Sequence, residues 1–255
     1  MEDIIYGRNA VLEALKSGNR IFNKILISKT VHPSVKIDEI INLAKEKGIL
    51  FQFTAKENLS KYDEHNHQGI IAMISPVKFT DLDEFLEREH TNSKIVMLDG
   101  VEDSQNLGSI IRTSVCAGVD AIIVPERRTS PINSVVEKAS AGAINHIEII
   151  KVNSPVSAIQ KLKKSNWWVI AAEAFESDNY YDVDYNDMNF VLVMGAEHSG
   201  VSKSILKLAD FKVKIPMLKN FNSLNVSNAL SIIIFESVRQ SLTRKKWNER
   251  RKTIF

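Results

Sequence analysis

The chain has 255 residues, 44% hydrophobic and 25% charged, with a net charge of +2 and a mean hydropathy of −0.12. These proportions exclude disordered, collagen-like and coiled-coil classes and supply core for one or two domains. The single cysteine, Cys116, excludes an internal disulfide and a cysteine-cluster metal site, and no stretch approaches the roughly 18 apolar residues of a membrane helix.

Residues 1–76 alternate helix and strand signals. Ala10, Val11, Ala14 and Leu15 have helical spacing, and residues 24–27 read as a short strand. Ile37, Ile40, Ile41 and Ala44 mark a second helix, which Gly48 is placed to end. Residues 49–53 suggest a strand, Thr54-x-x-Glu57 a capping box, and 69–74 a further strand. Together they predict a small α/β domain closed by Pro76. Residues 77–93 hold one short amphipathic pattern (Leu82, Phe85, Leu86) and a polar stretch, and read as an interdomain linker.

From residue 94 to 243 apolar strands alternate with helical patterns. The strands are expected at 94–98, 120–124, 147–150, 167–172, 190–194 and 211–215, the helices at 107–118, 131–141, 155–164, 202–209 and 226–242. Strands apolar along their length, separated by amphipathic helices, indicate an α/β fold with a parallel sheet covered on both faces. Residues 244–255 carry six Lys/Arg and one Glu, a basic tail that can track a phosphate backbone or simply be a solvated terminus. The Met1-Glu2-Asp3 start lacks a basic stretch followed by an apolar run, so a cytoplasmic location is expected.

In open parallel sheets ligands sit beyond the carboxyl ends of the strands, which directs attention to three turns. The first runs from Asp99 into a helix with Leu107, Ile110, Ile111 and Val115 as its buried stripe. Asn106 is a natural N-cap there, and Arg112 falls on another face, where a guanidinium is either merely exposed or meets a phosphate bidentately. The second turn, Gly195 to Ser202, has glycines that allow a backbone to approach a ligand. Val201 stands where a Walker A loop needs lysine, and no G-x-G-x-x-G occurs in the chain. Glu197 could cap the next helix or bind a hydroxyl or amine. The third turn crowds two asparagines and two serines, Asn222, Ser223, Asn225 and Ser227, beside a strand end, more than capping requires.

Other candidates are weaker. His65 and His67 have no partner ligands near in sequence, so no metal is expected. Cys116 reads as a packing residue, at least one of Trp167 and Trp168 as core, and Arg127-Arg128 as loop residues able to contact phosphate.

Taken in order, N106-L-G-S-I-I-R112, V193-M-G-A-E-H-S-G200 and I215-P-M217 followed by S223-L-N-V-S-N-A-L230 resemble the SpoU/TrmH (SPOUT class) family of RNA ribose 2′-O-methyltransferases. Y6-G-R-N-A-V-L-E-A-L15 and H65-N-H-Q-G-I-I-A72 resemble the RNA-binding domain of the subgroup that methylates a guanosine in 23S rRNA. The resemblance implies a carboxyl-terminal trefoil knot, S-adenosylmethionine as cofactor and RNA as substrate, in a homodimer with each site near the subunit interface. Neither membrane nor DNA is an implied partner. It makes Gly195, Ile215, Met217 and Leu224 cofactor-binding residues and assigns catalysis to Arg112, Asn106, Glu197, Ser223 and Asn225. Arg112 would clamp a phosphate and lower the pKa of the ribose hydroxyl, since a guanidinium is a poor base. Asn106 and Glu197 would orient Arg112 or the ribose, while Ser223 and Asn225 would hold substrate and the third loop. The chain departs from the family pattern at His198, Ser199, Lys219 and Asn228. The same resemblance leaves a tRNA ribose methyltransferase and a non-catalytic RNA-binding or assembly factor as alternatives.

Overall fold

The computed structural model describes residues 3–62, 67–174, 177–196, 199–219 and 223–254, with side chains through residue 244. In the amino-terminal unit the order is β1 (Asp3–Tyr6), α1 (Arg8–Ser17), β2 (Phe22–Ser28), α2 (Val35–Glu46), β3 (Phe51–Thr54), α3 (Lys56–Ser60) and β4 (Ile70–Ile74). The strands lie in the order β1-β4-β2-β3, with β2 and β3 parallel and the other pairs antiparallel. The helical spacing of Val11, Ala14 and Leu15 and of Ile37, Ile40 and Ala44 buries α1 and α2 against Ile5, Ile25, Ile27 and Ile70. Gly48, at φ 65, follows α2 in the left-handed conformation that ends it. The expected capping box does not form. Ala55 holds the N-cap position of α3 without a side-chain bond, and the Thr54 hydroxyl instead accepts from Asn58.

The larger unit contains β5 (Phe79–Thr80), α4 (Leu82–Leu86), β6 (Lys94–Asp99), α5 (Ser104–Cys116), β7 (Ala121–Pro125), α6 (Ser134–Ala139), β8 (Glu148–Val152) and α7 (Pro155–Lys164). It continues through β9 (Trp168–Ala172), β10 (Asp178–Asn179), β11 (Phe190–Gly195), α8 (Lys203–Leu206), β12 (Phe211–Lys214) and α9 (Val226–Ile254). Among the described residues, eight strands in the order β10-β12-β9-β11-β6-β7-β8-β5 form one sheet, parallel throughout. Alternation along β6 sends Val96 and Leu98 into the core under α5, α6 and α9, and Ile95 and Met97 into the core under α4, α7 and α8. Burial on both faces explains why these strands are apolar along their length.

Several expectations are corrected here. Residues 77–93 are not a free linker: β5 pairs with β8 as the sheet's last strand, and Leu82 and Phe85 of α4 are core residues. The helix expected at 226–242 runs on to residue 254, so the backbone of the basic tail is helical. Cys116 is exposed rather than packed, because its position on α5 falls outside the Leu107-Ile110-Ile111 stripe. Trp167 is buried and Trp168 exposed.

The two units meet through α6 and the 3-10 turn at Ala143–His146. Arg20, buried, donates to Glu137 Oε1 at 2.6 Å, to Asn145 Oδ1 at 3.3 Å and to the Ser75 carbonyl at 2.7 Å. Asn19 donates to the Asn145 carbonyl, His146 pairs with Glu13, and Lys138 lies over the Tyr6 ring. Gly142, at φ 87, lets this turn approach the backbone of α1: a Cβ there would lie 3.2 Å from the Ala10 Cα.

Candidate active site

The three turns singled out by sequence all emerge at the carboxyl edge of the large sheet. At the first, Asp103, not Asn106, caps α5, its carboxylate accepting from the Asn106 amide at 2.7 Å. Asn106 therefore lies in the first turn of the helix with its side chain released for another role. Its Oδ1 accepts from Asn225 Nδ2 at 2.9 Å, joining the first turn to the third across 119 positions. Asn225 is itself the cap of α9, accepting from the Ser227 amide and hydroxyl. Two asparagines and a serine thus form one network at the edge.

Arg112 occupies an exposed face of α5 between two packed ones. Gly108 abuts α6, where a Cβ would come within 2.3 Å of the Ala139 Cβ, and Thr113 bonds Ser231 of α9. No hydrogen bond or ion pair to Arg112 occurs among the described residues, which leaves the guanidinium presented to solvent.

The second turn folds back on itself. Gly195 ends β11 in register with Asp99, and Ala196 bridges to Gly200. A Cβ at Gly195 would sit 2.0 Å from the Gly200 carbonyl carbon, so only glycine permits this doubling. Asp99, buried at the end of β6, accepts from the Ser202 amide at 2.8 Å and lies 3.6 Å from the Arg128 guanidinium. It therefore ties the second turn to the loop after β7. Glu197 and His198 lie outside the described residues, as do His65 and Asn222. His67 is buried, its Nδ1 accepting from the Gly69 amide, and no metal-holding cluster occurs among the described residues.

Between the second and third turns lies a cavity of about 790 Å³. Gly195, Ile215, Met217 and Leu224 all line it, together with Ser223. Asn106, Arg112 and Asn225 do not. Its walls mix apolar and polar groups: Met194, Val226 and Ile233 are buried lining residues, while Glu173, Lys214 and Lys219 supply charge. Glu173 and Lys214 were not among the sequence candidates, although Glu173 follows directly on β9 and Lys214 is the last residue of β12, where the strand-end rule would have found them. A volume of this size with apolar and charged groups in its walls fits a nucleoside bearing an amino-acid tail.

Comparison with known proteins places this geometry. The model of the SpoU rRNA Methylase family matches residues 93–235, and that of RNA 2′-O ribose methyltransferase substrate binding matches residues 4–80. A protein of Staphylococcus haemolyticus named as a TrmH family tRNA/rRNA methyltransferase is 40% identical over 244 residues, covering 94% of this chain and 97% of its own. Among solved structures, the SpoU methyltransferase AviRb of Streptomyces viridochromogenes superposes with a TM-score of 0.80 at 21% identity, covering 95% of this chain and 90% of its own. An AdoMet-bound rRNA methyltransferase of Sinorhizobium meliloti gives 0.79 at 24% identity, with 93% and 87% coverage. The chain belongs to the SpoU/TrmH family of RNA ribose 2′-O-methyltransferases.

Proposed function

We propose that this protein transfers a methyl group from S-adenosylmethionine to a guanosine ribose 2′-hydroxyl of 23S rRNA. The observation that carries the reading is the meeting of Gly195, Ile215, Met217 and Leu224, from separate turns, around one cavity of fitting size and chemistry. The cofactor supplies an already activated sulfonium methyl. What remains for the chain is to align a weakly acidic ribose hydroxyl with that methyl and to ease loss of its proton. Arg112 clamps a substrate phosphate and stabilises the developing alkoxide, with phosphate or water as proton acceptor. The Asn106–Asn225 pair fixes the edge between the first and third turns, and Ser223 holds the loop over the cavity. Glu197 is assigned an orienting role from the resemblance alone.

The amino-terminal unit, matched by a substrate-binding family model, holds the RNA. The chain acts as a homodimer. Asn228, Ile232, Phe235, Arg239 and Leu242 form one exposed face of α9 at i, i+4, i+7, i+11 and i+14 spacing, and its three apolar members are unpartnered within one protomer. That Arg112 lies outside its own protomer's cavity supports a site completed near a subunit interface. We assign a trefoil knot to the segment following β11, supported by β11 entering between β9 and β6, both earlier in the chain, before β12 pairs beside β9. A cytoplasmic location accords with an rRNA substrate.

Transfer of labelled methyl to unmodified 23S rRNA, 16S rRNA and bulk tRNA, with Arg112→Ala as control, tests the reading. Label recovered as 2′-O-methylguanosine in 23S rRNA and lost in the variant is expected. Label in tRNA alone would overturn the rRNA assignment, and absence of cofactor binding would favour a non-catalytic assembly factor.

A further inference from the structure

We propose that Glu173 reads the ribose of the cofactor, its carboxylate accepting the vicinal hydroxyls; the inference rests on the cavity being the S-adenosylmethionine site. Glu173 follows β9 directly and lines the cavity. β9 runs beside β11, so Glu173 stands next to the doubled turn that begins at Gly195.

Its geometry is fixed from both sides. The Glu173 amide donates to the Val213 carbonyl at 2.9 Å, which holds the backbone against β12. Oε1 accepts from the Ala174 amide at 2.9 Å. The other oxygen, Oε2, is turned towards Gly200, 4.0 Å from where a Cβ on that glycine would stand. The half-buried carboxylate is thus placed along the wall of the cavity.

Chemistry selects its ligand. Among the described lining residues Glu173 is the single carboxylate, and the other charged groups are Lys214 and Lys219. Ammonium groups only donate, so they cannot receive the hydroxyl protons of a sugar. A carboxylate accepts two at once, and in the parallel sheets that bind dinucleotides an acidic side chain beyond a strand end accepts from the ribose. Position agrees with this role. β9 lies two strands from β6, about 10 Å at the usual strand spacing, so Glu173 faces a part of the cofactor away from the edge where Arg112 stands.

The test is calorimetric binding of S-adenosylhomocysteine and of its 2′-deoxyadenosine counterpart to the full chain and to its Glu173→Ala and Glu173→Gln variants. The unsubstituted protein is expected to prefer the ribose compound by about tenfold, the scale of one hydrogen bond to a charged group. In Glu173→Ala that preference collapses, and Glu173→Gln retains part of it, with thermal midpoints unchanged. A preference that persists in Glu173→Ala, or its absence from the unsubstituted protein, overturns the assignment. Failure of the unsubstituted protein to bind either compound would instead overturn the cofactor reading on which it rests.

Discussion

At the scale of single residues, the site depends on what is missing as much as on what is present. Gly195 has no Cβ because the Gly200 backbone fills that space, so Gly195→Ala must open the second turn. Cofactor affinity is expected to fall at least about tenfold with a stability loss of about 1–3 kcal/mol, measured by calorimetry and urea unfolding. Arg112 behaves oppositely. Exposed and outside the cavity, it can be changed without disturbing cofactor binding. Arg112→Lys keeps the charge but not the planar fork, and methyl transfer is expected to fall about a hundredfold, much as in Arg112→Ala. Near-normal turnover in the lysine variant would disprove a bidentate phosphate clamp.

At the scale of elements, α9 is two helices in one. Its buried stripe, including Leu230, Ile233 and Ile234, belongs to the core, whereas Ile232, Phe235 and Leu242 are 36%, 43% and 54% exposed. Phe235→Asp leaves the core untouched and places a charge on the open face. Light scattering during size exclusion is expected to show the proposed dimer for the unsubstituted chain and a monomer for the variant, with transfer activity lost; an unchanged mass would remove α9 from the interface. The elements themselves were largely legible in the sequence. Apolar runs such as 94–98 and 190–194 mark strands buried on both faces, and periodicity places α5 and α7 within a few residues. Short elements were not. β5 and β10 have two residues each, too few for any pattern, and β5 turns a supposed linker into a sheet edge. The cap of α5 was misplaced for a related reason: residue type points to Asn106, but the folded chain puts the cap three residues earlier, at Asp103. The site was legible as motifs, but the Asn106–Asn225 bond spans 119 positions, and no local pattern carries such a pairing.

At the scale of the whole molecule, Arg20 and Glu137 hold the two units together, each side chain 3% exposed. Burial pushes the Glu137 carboxyl above its ordinary 4.5, with the Arg20 guanidinium acting against that rise. The folded state therefore holds this proton more firmly than the unfolded one. Between 4.5 and the raised value folding takes up a proton, so the stability owed to this group is greatest below 4.5 and declines as pH rises through that window. Glu137→Gln removes this dependence and leaves a buried guanidinium short of its main counter-charge. A loss of about 3 kcal/mol or more at neutral pH is expected in urea unfolding; a neutral effect would mean that the pair contributes nothing to docking. If the amino-terminal unit holds the RNA, the attachment also sets how substrates are chosen. With Arg20, Asn19 and Glu13 all anchored to α6 and the turn that follows, the RNA-holding unit and the methyl-transferring edge stand a set span apart, like the jaws of a caliper. Such a tool measures rather than searches. An RNA enters the reaction only if its own folding sets the gripped region and the target ribose at that same distance, so lengthening the RNA between them should silence methylation even where every contacted nucleotide is kept.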